Sequence, residues 1–446
     1  MIRTTADLFS FRNGRFAAFF LAAFVFRVLF GLVCPPIIIA EDETQIYTIG
    51  LKCYTTRTWP FFGPDVLGFG ASKIQIPGAL QGLLVALPLE VWPIPEAPYL
   101  FLNLLSLAAF TFLGWYVLRR LPGLSPWFVF TWLFVAPWSL HYTTQVINPS
   151  YAVLGSILFF VGFLDSLPAF SPSVLPRLLA NALMGFGLLW TAQLHMSWVL
   201  LVPFAGLSLL LQWRVGHGAR PLGWFLVGAL PMLALLAPTY LRYGFTSGGD
   251  AQHIVSSVNW ENVPALFDIA AKFLSFASFE MPRFIGLPGR PHFSYLLDHW
   301  PLLLPGAFLW AVGLAQPLAM VYLGATKRTP RRDWNALRWL TISCVLLIWV
   351  SFWFTAKDPR SYTFYVTLPL AFVFSFYCWD FWSSSVRWRR FAGVFLATAI
   401  LFQALYGYYS YRSGTSAYLE SRAKMSRALA AGDYRLLGER RRGSRY

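Results

Sequence analysis

The sequence has little charge for its length. Only 12% of its 446 residues are Asp, Glu, Lys or Arg, and 57% are hydrophobic. A soluble protein carries about twice that charged fraction, so this composition excludes an ordinary soluble domain. The formal net charge is +16, which in a soluble protein would suggest nucleic-acid binding. Here the basic residues fall mostly between apolar runs, which indicates topogenic charge and no nucleic-acid partner.

Cysteine is scarce as well, and internal repeats are absent from the sequence. The four cysteines form no C-x-x-C pair, which disfavours a zinc or thioredoxin-like site. The lack of a visible repeat disfavours a transporter built from obvious duplicated halves. The first apolar run has no short core with a small-residue cleavage site, so we expect an uncleaved first span instead of a signal peptide.

Long apolar runs are what the sequence has in abundance. Stretches near 20 residues, about the length of a membrane-crossing helix, recur along the whole chain. They are too long and too continuous for the strands of a membrane barrel. We therefore predict an all-α polytopic membrane protein, a bundle of about 11 transmembrane helices (roughly 10 to 13). The predicted spans are 16–39, 98–118, 127–140, 149–166, 178–194, 198–213, 222–241, 300–322, 338–355, 363–382 and 391–411.

The distribution of Lys and Arg predicts which ends of the spans face the cytosol. The run 78–91 is about 14 residues long and contains Pro88, which suits an interfacial or re-entrant helix. If it does not cross and the N-terminus is cytosolic, every basic cluster between spans falls on the cytosolic side. The Arg-rich tail 412–446 then falls outside, where either it lies on anionic lipid head groups or the last span is misassigned.

The same orientation collects the remaining polar residues on the exterior face. Two half-apolar stretches there, 44–57 and 262–278, are predicted as interfacial helices. In the second, Asp268, Lys272 and Ser275 form a polar stripe that should face water. We expect one transmembrane domain over 1–411, followed by a basic tail. The exterior segments are 40–77, 141–151, 191–198, 242–298 and 355–362.

An acidic cluster stands at the start of the first exterior segment. Residues 37–47 read IIIAEDETQIY, and Arg27 lies in the preceding span. An Asp-Glu pair in this place resembles the GT-C superfamily of membrane glycosyltransferases. Within that superfamily, the arrangement is similar to that of the protein O-mannosyltransferases (glycosyltransferase family 39-type) and of the aminoarabinose transferases that modify lipid A. Two further stretches carry the resemblance, SKIQIPGAL (72–80) and KDPRSYTFYVTLPL (357–370). The family's double proline beside a basic residue is reduced here to Pro77, with Lys73 four residues earlier.

The resemblance implies a GT-C-like fold and a specific reaction. The donor is a sugar on polyprenyl or dolichyl phosphate, and an acceptor hydroxyl attacks the anomeric carbon with inversion. Asp42 is the candidate general base, and Glu43 or Glu41 would raise its pKa by like-charge repulsion. Arg27, near the middle of the first span, needs a buried acid or the donor phosphate as its partner. Cations for the leaving phosphate are Lys73, Lys357 and Arg360, and the other candidate substrate-binding residues are Tyr47, His141, Asn148, Gln193, His195 and Tyr362.

The same residues also fit structural roles. The acidic trio fits solvated charge beside a span, and Asp42 with Glu43 also fits a divalent-cation site, so a divalent cation stays open as a cofactor. No fixed metal site is predicted. The structural alternatives for the others are hydrogen-bonded histidines at His141 and His195, a helix N-terminus at Asn148-Pro149 and helix-end anchors at Lys357 and Arg360.

Three functions remain in competition on sequence grounds. The favoured function is a glycosyltransferase that uses a lipid-phosphate-linked sugar, with a glycan, lipid or protein as acceptor. A transporter or flippase of a lipid-linked saccharide would spread its charges through the membrane midplane, and a non-catalytic scaffold has no use for the acidic trio. Arg-rich, Lys-poor usage favours the inner membrane of a bacterium with a periplasmic site, the endoplasmic reticulum lumen being the alternative.

Overall fold

A computed structural model describes residues 14–33, 40–65, 75–244, 258–278, 297–355 and 358–438, without the side chains of 33, 40–41 and 413–419. The described residues are mainly helical, as predicted. The α-helices are α1 Gly14–Val33, α2 Ala40–Thr56, α3 Leu80–Val91, α4 Ala97–Arg120, α5 Pro126–Val135, α6 Pro137–Thr143, α7 Ala152–Ser166, α8 Arg177–Ala192, α9 Val202–Gln212, α10 Arg220–Tyr243, α11 Leu266–Ser275, α12 Leu303–Thr326, α13 Arg332–Trp353, α14 Leu368–Ser383 and α15 Val386–Ala431.

Shorter elements connect these helices. The strands β1 Phe62–Asp65 and β2 Gln75–Pro77 pair antiparallel, with Phe62 opposite Pro77. Short 3₁₀ helices precede several of the long helices, and a π-helical turn follows α9. These turns are Pro168–Phe170, Met196–Leu201, Trp213–His217, Trp260–Ala265, Trp300–Leu302, Ser361–Thr367 and Tyr434–Leu437.

Within the described residues, eight helical segments are long and apolar enough to cross a membrane. They match eight of the eleven predicted spans: Gly14–Leu32, Ala97–Arg120, Met196–His217, Arg220–Tyr243, Trp300–Thr326, Arg332–Trp353, Ser361–Ser383 and Val386–Arg412. The other three predicted spans are also helical but shorter, and they are mostly buried among the rest. The all-α polytopic fold is therefore confirmed.

Two of the short predicted spans differ from the structure beside a proline. The stretch 127–140 is divided at Ala136, whose φ of −57° and ψ of 136° end α5 before Pro137 begins α6. The residue before a proline avoids the helical region because the proline ring clashes with it. The structural alternative for Asn148-Pro149 was a helix N-terminus. The next helix, α7, instead starts at Ala152 with Tyr151 as its N-cap.

Close helix packing in the middle of the bundle depends on small residues. A Cβ at Gly228 on α10 would clash with the carbonyl of Ala182 on α8, and one at Gly185 with the carbonyl of Phe225. On the other side of α8, Gly187 lies against the backbone of α7. Because lipid supplies little hydrophobic driving force between helices, such close backbone contacts provide much of the packing.

The two predicted interfacial helices are present, but the second turns only the Asp268 end of its polar stripe to water. α2 covers most of 44–57, and α11 lies within 262–278. On α11, Lys272 pairs with Asp268 and donates to the carbonyl of Pro359 at 2.8 Å, while Ser275 is buried. Phe267 is exposed instead. Lys272 of this stripe therefore connects α11 to the segment around Pro359.

The last helix extends far beyond the apolar segment predicted for it. α15 runs for 46 residues, from Val386 to Ala431, and a 3₁₀ turn follows at Tyr434–Leu437. This turn packs on α2, where the Lys52 ammonium lies 5.8 Å from the ring centre of Tyr434. The described part of the tail thus contacts the first exterior segment.

Candidate functional site at the carboxylate-bearing helix

Helix α2 places Glu43 inside the protein. Glu43, Ile46, Tyr47 and Leu51 follow a spacing of three and four residues, so they share one face of the helix, and all four are buried. A carboxylate on an apolar face needs partners, because an unpaired buried charge is costly. The Tyr99 hydroxyl donates to Glu43 Oε1, and Arg422 Nη2 lies 3.3 Å from the same oxygen.

Arg422 reaches this carboxylate from the opposite end of the chain. Its guanidinium carbon lies 3.6 Å from the centre of the Tyr99 ring, a cation–π contact that orients the group. The side chains of Arg422 and Glu43 are 9% and 10% exposed, so the ion pair is nearly dry. Burial raises the pKa of the Glu43 carboxyl, and the Arg422 charge opposes that rise.

The other members of the acidic motif face different surroundings. Asp42, one position before Glu43, is half-buried and lies off the face that carries Glu43 and Tyr47. Glu41 belongs to the first turn of α2, but its side chain lies outside the described set. The Tyr47 hydroxyl donates to the carbonyl of Pro95 at 3.2 Å, which ties α2 to the start of α4.

Arg27 is fully buried and is held by neutral oxygens. Its guanidinium donates to the carbonyl of Phe134 at 3.0 Å, to Ser106 Oγ at 3.3 Å and to the carbonyl of Ser139 at 3.4 Å, as well as to the hydroxyl of Thr143. Among the described residues no carboxylate pairs with it. Neutral oxygens of α4, α5 and α6 thus hold Arg27, where the sequence predicted a buried acid or the donor phosphate.

His141 and Asn148 lie on either side of the same bend. The ring centre of His141 is 4.9 Å from that of Phe30 and 5.6 Å from that of Tyr406, so aromatic groups enclose it. Asn148 lies in the turn before α7, and its buried Oδ1 has no hydrogen-bond partner within the described part of the chain.

Gln193 and His195 follow the C-terminal end of α8, where Gln193 contacts Gly78 at the end of the first exterior segment. Gln193 Nε2 donates to the carbonyl of Met232 at 2.9 Å, and its side chain lies so close to Gly78 that a Cβ there would be only 2.6 Å away. His195 Nδ1 accepts from the backbone N–H of Ser197 at 3.2 Å and so caps Met196–Leu201. This geometry of His195 agrees with its structural alternative, a hydrogen-bonded histidine.

The late basic motif folds onto the same end of the bundle. Arg360 is exposed and occupies the N-cap position of Ser361–Thr367 without a side-chain capping bond, and this segment packs against Met196–Leu201. Tyr362 is half-buried, and the hydroxyl of Tyr365 donates to the carbonyl of Trp138 at 2.7 Å. Lys73 and Lys357 lie outside the described residues.

A cavity of about 200 Å³ lies beside the outer face of α2. Aromatic side chains form much of its wall, and the Arg242 guanidinium carbon lies 4.9 Å from the ring centre of Phe61. Lys52 adds a second cation to the lining. The lining residues are Ile49, Lys52, Cys53, Thr58, Trp59, Pro60, Phe61, Phe62, Arg242 and Tyr243.

The structure thus brings together segments that the sequence separates. Gly78, directly after β2, meets Gln193; the turn after His195 meets Ser361–Thr367; and Tyr365 meets Trp138. Sequence reasoning missed Tyr99 and Arg422, which complete the environment of Glu43. Tyr99 lies in an apolar span, and Arg422 lies in a tail whose other arginines are similar, so a single sequence does not distinguish them.

Among the described residues, no group of three or more His, Cys, Asp or Glu side chains is placed to hold a metal ion. Of the acidic motif, this holds for Asp42 and Glu43, because the side chain of Glu41 is not described. The carboxylate that is best defined, Glu43, has Tyr99 and Arg422 as its neighbours.

Comparisons with known proteins find similarity in structure but not in sequence. No family model matches the chain, and no curated protein matches it significantly. One similar solved structure is the crystal structure of ArnT from Cupriavidus metallidurans bound to undecaprenyl phosphate. It aligns with a TM-score of 0.51 at 13% sequence identity, over 94% of this chain and 79% of that chain. The fold of this chain is therefore similar to that of ArnT, a GT-C membrane glycosyltransferase.

Proposed function

We propose that this protein is a membrane glycosyltransferase that moves a sugar from a polyprenyl-phosphate donor to an acceptor hydroxyl. The observation that carries the proposal is the fold similarity to ArnT, which spans 94% of the chain. That protein was solved with undecaprenyl phosphate bound, a lipid phosphate of the class released from such a donor. The acidic motif on α2 supplies the residues that the chemistry needs.

Asp42 is proposed as the general base. The acceptor oxygen attacks the anomeric carbon, and its proton passes to the Asp42 carboxylate. The bond from that carbon to the phosphate oxygen breaks, and the electron pair leaves with the polyprenyl phosphate. Asp42 is half-buried, whereas Glu43 is buried against Tyr99 and Arg422, so Asp42 is the more accessible of the two. A base must come within hydrogen-bond reach of the acceptor hydroxyl, which favours Asp42 for proton transfer and Glu43 for positioning α2.

Arg360 and neighbouring cations are proposed to stabilise the leaving phosphate. Negative charge develops on the phosphate oxygens as the bond breaks, and preorganised donors lower the barrier there. Arg360 is exposed, and no carboxylate within the described residues pairs with it. Lys357 and Lys73 remain proposed members of the same group on sequence grounds. The aromatic cavity beside α2 offers apolar ring faces and two cations to a sugar of the acceptor or donor.

The location follows from the same proposal. The carboxylate motif and Arg360 belong to the segments that the Lys and Arg distribution places outside the cytosol. We propose a bacterial inner-membrane protein whose site faces the periplasm. The stereochemical outcome proposed is inversion, because a single displacement by the acceptor needs no covalent intermediate.

The test is release of polyprenyl phosphate from a supplied polyprenyl-phosphate sugar by purified protein in detergent. Wild type should release the lipid phosphate when an acceptor is present, and Asp42→Asn should lower that rate by about 10²- to 10⁴-fold, the range for a general base. Glu261→Gln, at an exposed carboxylate on another segment, is the matched control and should act as wild type. Undiminished release by a folded Asp42→Asn variant would contradict the base assignment, and lipid transport without release would favour a flippase.

A further inference from the structure

A second cavity lies at the opposite end of α8 and α10 from the carboxylate site. It has a volume of about 570 Å³, within the range of about 300 to 1,000 Å³ typical of ligand pockets. Gln193 and Thr239, near the C-terminal ends of these helices, contact the first exterior segment, whereas the cavity surrounds their N-terminal ends. Its lining residues are Arg177, Leu178, Asn181, Gln212, Gly216, His217, Gly218, Arg220, Pro221 and Trp224.

Three basic side chains converge on this cavity. Arg177 begins α8, Arg220 begins α10, and His217 lies between them in the chain. Arg177 Nη1 is 2.6 Å from His217 Nε2, so a hydrogen bond positions the guanidinium. Over the described ranges, no carboxylate pairs with any of the three. A cavity with unneutralised cations attracts an anion, and the positive ends of the two helix dipoles point the same way.

The polar groups below the cations are already satisfied and rigid. Asn181 and Gln212 exchange amide hydrogen bonds of 3.1 and 2.9 Å, and Gln212 Nε2 also lies 3.0 Å from Ser208 Oγ. These bonds hold α8 against the end of α9. These polar groups therefore form a preorganised floor of the cavity. The groups that remain to bind a ligand are the guanidinium groups of Arg177 and Arg220.

The surroundings indicate which kind of anion reaches the site. Leu178, Leu222 and Trp224 are 49%, 46% and 42% exposed, so apolar side chains stand beside the cations. Such a combination suits a phosphate that carries acyl chains, with Trp at the level of the head groups. A free phosphate ion would use the arginines but gain nothing from these apolar side chains.

We propose that this cavity binds the phosphate of an anionic phospholipid head group, from the leaflet opposite the carboxylate site. Arg177 and Arg220 bind the phosphate oxygens, His217 fixes Arg177, and the exposed leucines contact the acyl chains. The site is separate from the proposed transfer reaction, and its occupation anchors α8 and α10. By the Lys and Arg distribution this leaflet is the cytosolic one.

Native mass spectrometry and thermal unfolding of the full chain in neutral detergent test the proposal. Phosphatidylglycerol should bind wild type and raise its unfolding temperature, while phosphatidylcholine should not. Arg177→Gln with Arg220→Gln should weaken the binding roughly tenfold or more, given the contribution of each charge near a lipid surface. The matched control, Arg387→Gln with Arg390→Gln, removes two exposed arginines elsewhere and should bind as wild type.

Inorganic phosphate distinguishes the two sources of the anion. If phosphate alone protects wild type as well as the lipid does, and the Arg177/Arg220 variant loses both effects, the site binds phosphate chemistry without selecting a lipid. Equal lipid binding by both double variants would overturn the proposal, because it would show that general surface charge suffices. Neither readout depends on glycosyl transfer, so this result and the result for the proposed function are independent.

Discussion

Glu43 Oε1 and Arg422 Nη2 lie 3.3 Å apart, although 379 positions separate the two residues in the chain. The contact fixes the helix that carries the acidic motif to the extended end of α15. The ring of Tyr99 lies under the guanidinium and its hydroxyl donates to the same carboxylate oxygen. The C-terminal helix is therefore part of the candidate site and not an independent tail.

Loss of Arg422 should destabilise the protein. Arg422→Gln leaves Glu43 buried without its counter-charge, and breaking one side of a buried pair costs about 3 kcal/mol or more. Unfolding in mixed micelles measures this loss, with the exposed Arg427→Gln on the same helix as the matched control. In the double variant Glu43→Gln with Arg422→Gln, the two losses should fall short of additive by about 1 kcal/mol or more. Strict additivity would show that the contact contributes no coupling.

The stability of this pair should depend on pH in a defined direction. Burial is the largest influence on Glu43 and raises its pKa, so the folded state favours the protonated carboxyl. The associated stabilisation is complete below the unfolded pKa, about 4.3, and is lost as pH rises through the folded pKa. The unfolding temperature of wild type relative to Glu43→Gln should therefore fall as the pH rises above this unfolded value. A rise over that range would show that Arg422 outweighs burial.

Arg27 should behave as a structural residue. Its donors are used by three backbone or side-chain oxygens at 3.0 to 3.4 Å and by the Thr143 hydroxyl. Arg27→Gln leaves several buried acceptors unsatisfied, each at a cost of about 1 to 3 kcal/mol, and should lower the unfolding temperature strongly. Arg15→Gln, at an exposed position of the same helix, should not. A stable Arg27→Gln variant with a raised KM for the donor alone would instead assign Arg27 to the substrate.

Gly78 should tolerate no side chain. Its φ is +119°, and a Cβ there would come within 2.6 Å of Gln193. Gly78→Ala should destabilise the joint between β2 and α8 by about 1 to 3 kcal/mol, since backbone strain adds to the clash. Gly206→Ala in α9 is the matched control: nothing lies within 4 Å of its Cβ position, and alanine favours a helix by about 0.5 to 1 kcal/mol. Equal effects at both positions would contradict this role of Gly78.

Hydrophobic run length and proline position together predict much of the fold. Eight long spans, the short helix at 78–91 and both interfacial helices stand where the apolar pattern places them. Pro137 marks the break at Ala136 in the sequence, but hydropathy averaged over a window does not detect a single proline. Run length alone therefore does not distinguish full-length spans from shorter buried helices.

The candidate site was predictable only in part. The acidic motif on α2 stands out in sequence because carboxylates are rare beside a span. Which of its members is buried depends on the rotation of α2 against α4, and that is set by packing. Arg422 and Tyr99 join the site through tertiary contacts between distant segments, for which a single sequence carries no periodic signal.

The central claim is that the acidic motif and the late basic motif open onto one face of the membrane. The most direct measurement is labelling of Asp42→Cys and Arg360→Cys, each in a background without the four native cysteines, by a membrane-impermeant maleimide. Arg214→Cys serves as the reference for the other face. The account predicts that positions 42 and 360 are labelled from the non-cytosolic side and position 214 from the cytosolic side. Labelling of 42 and 360 from opposite sides would contradict it.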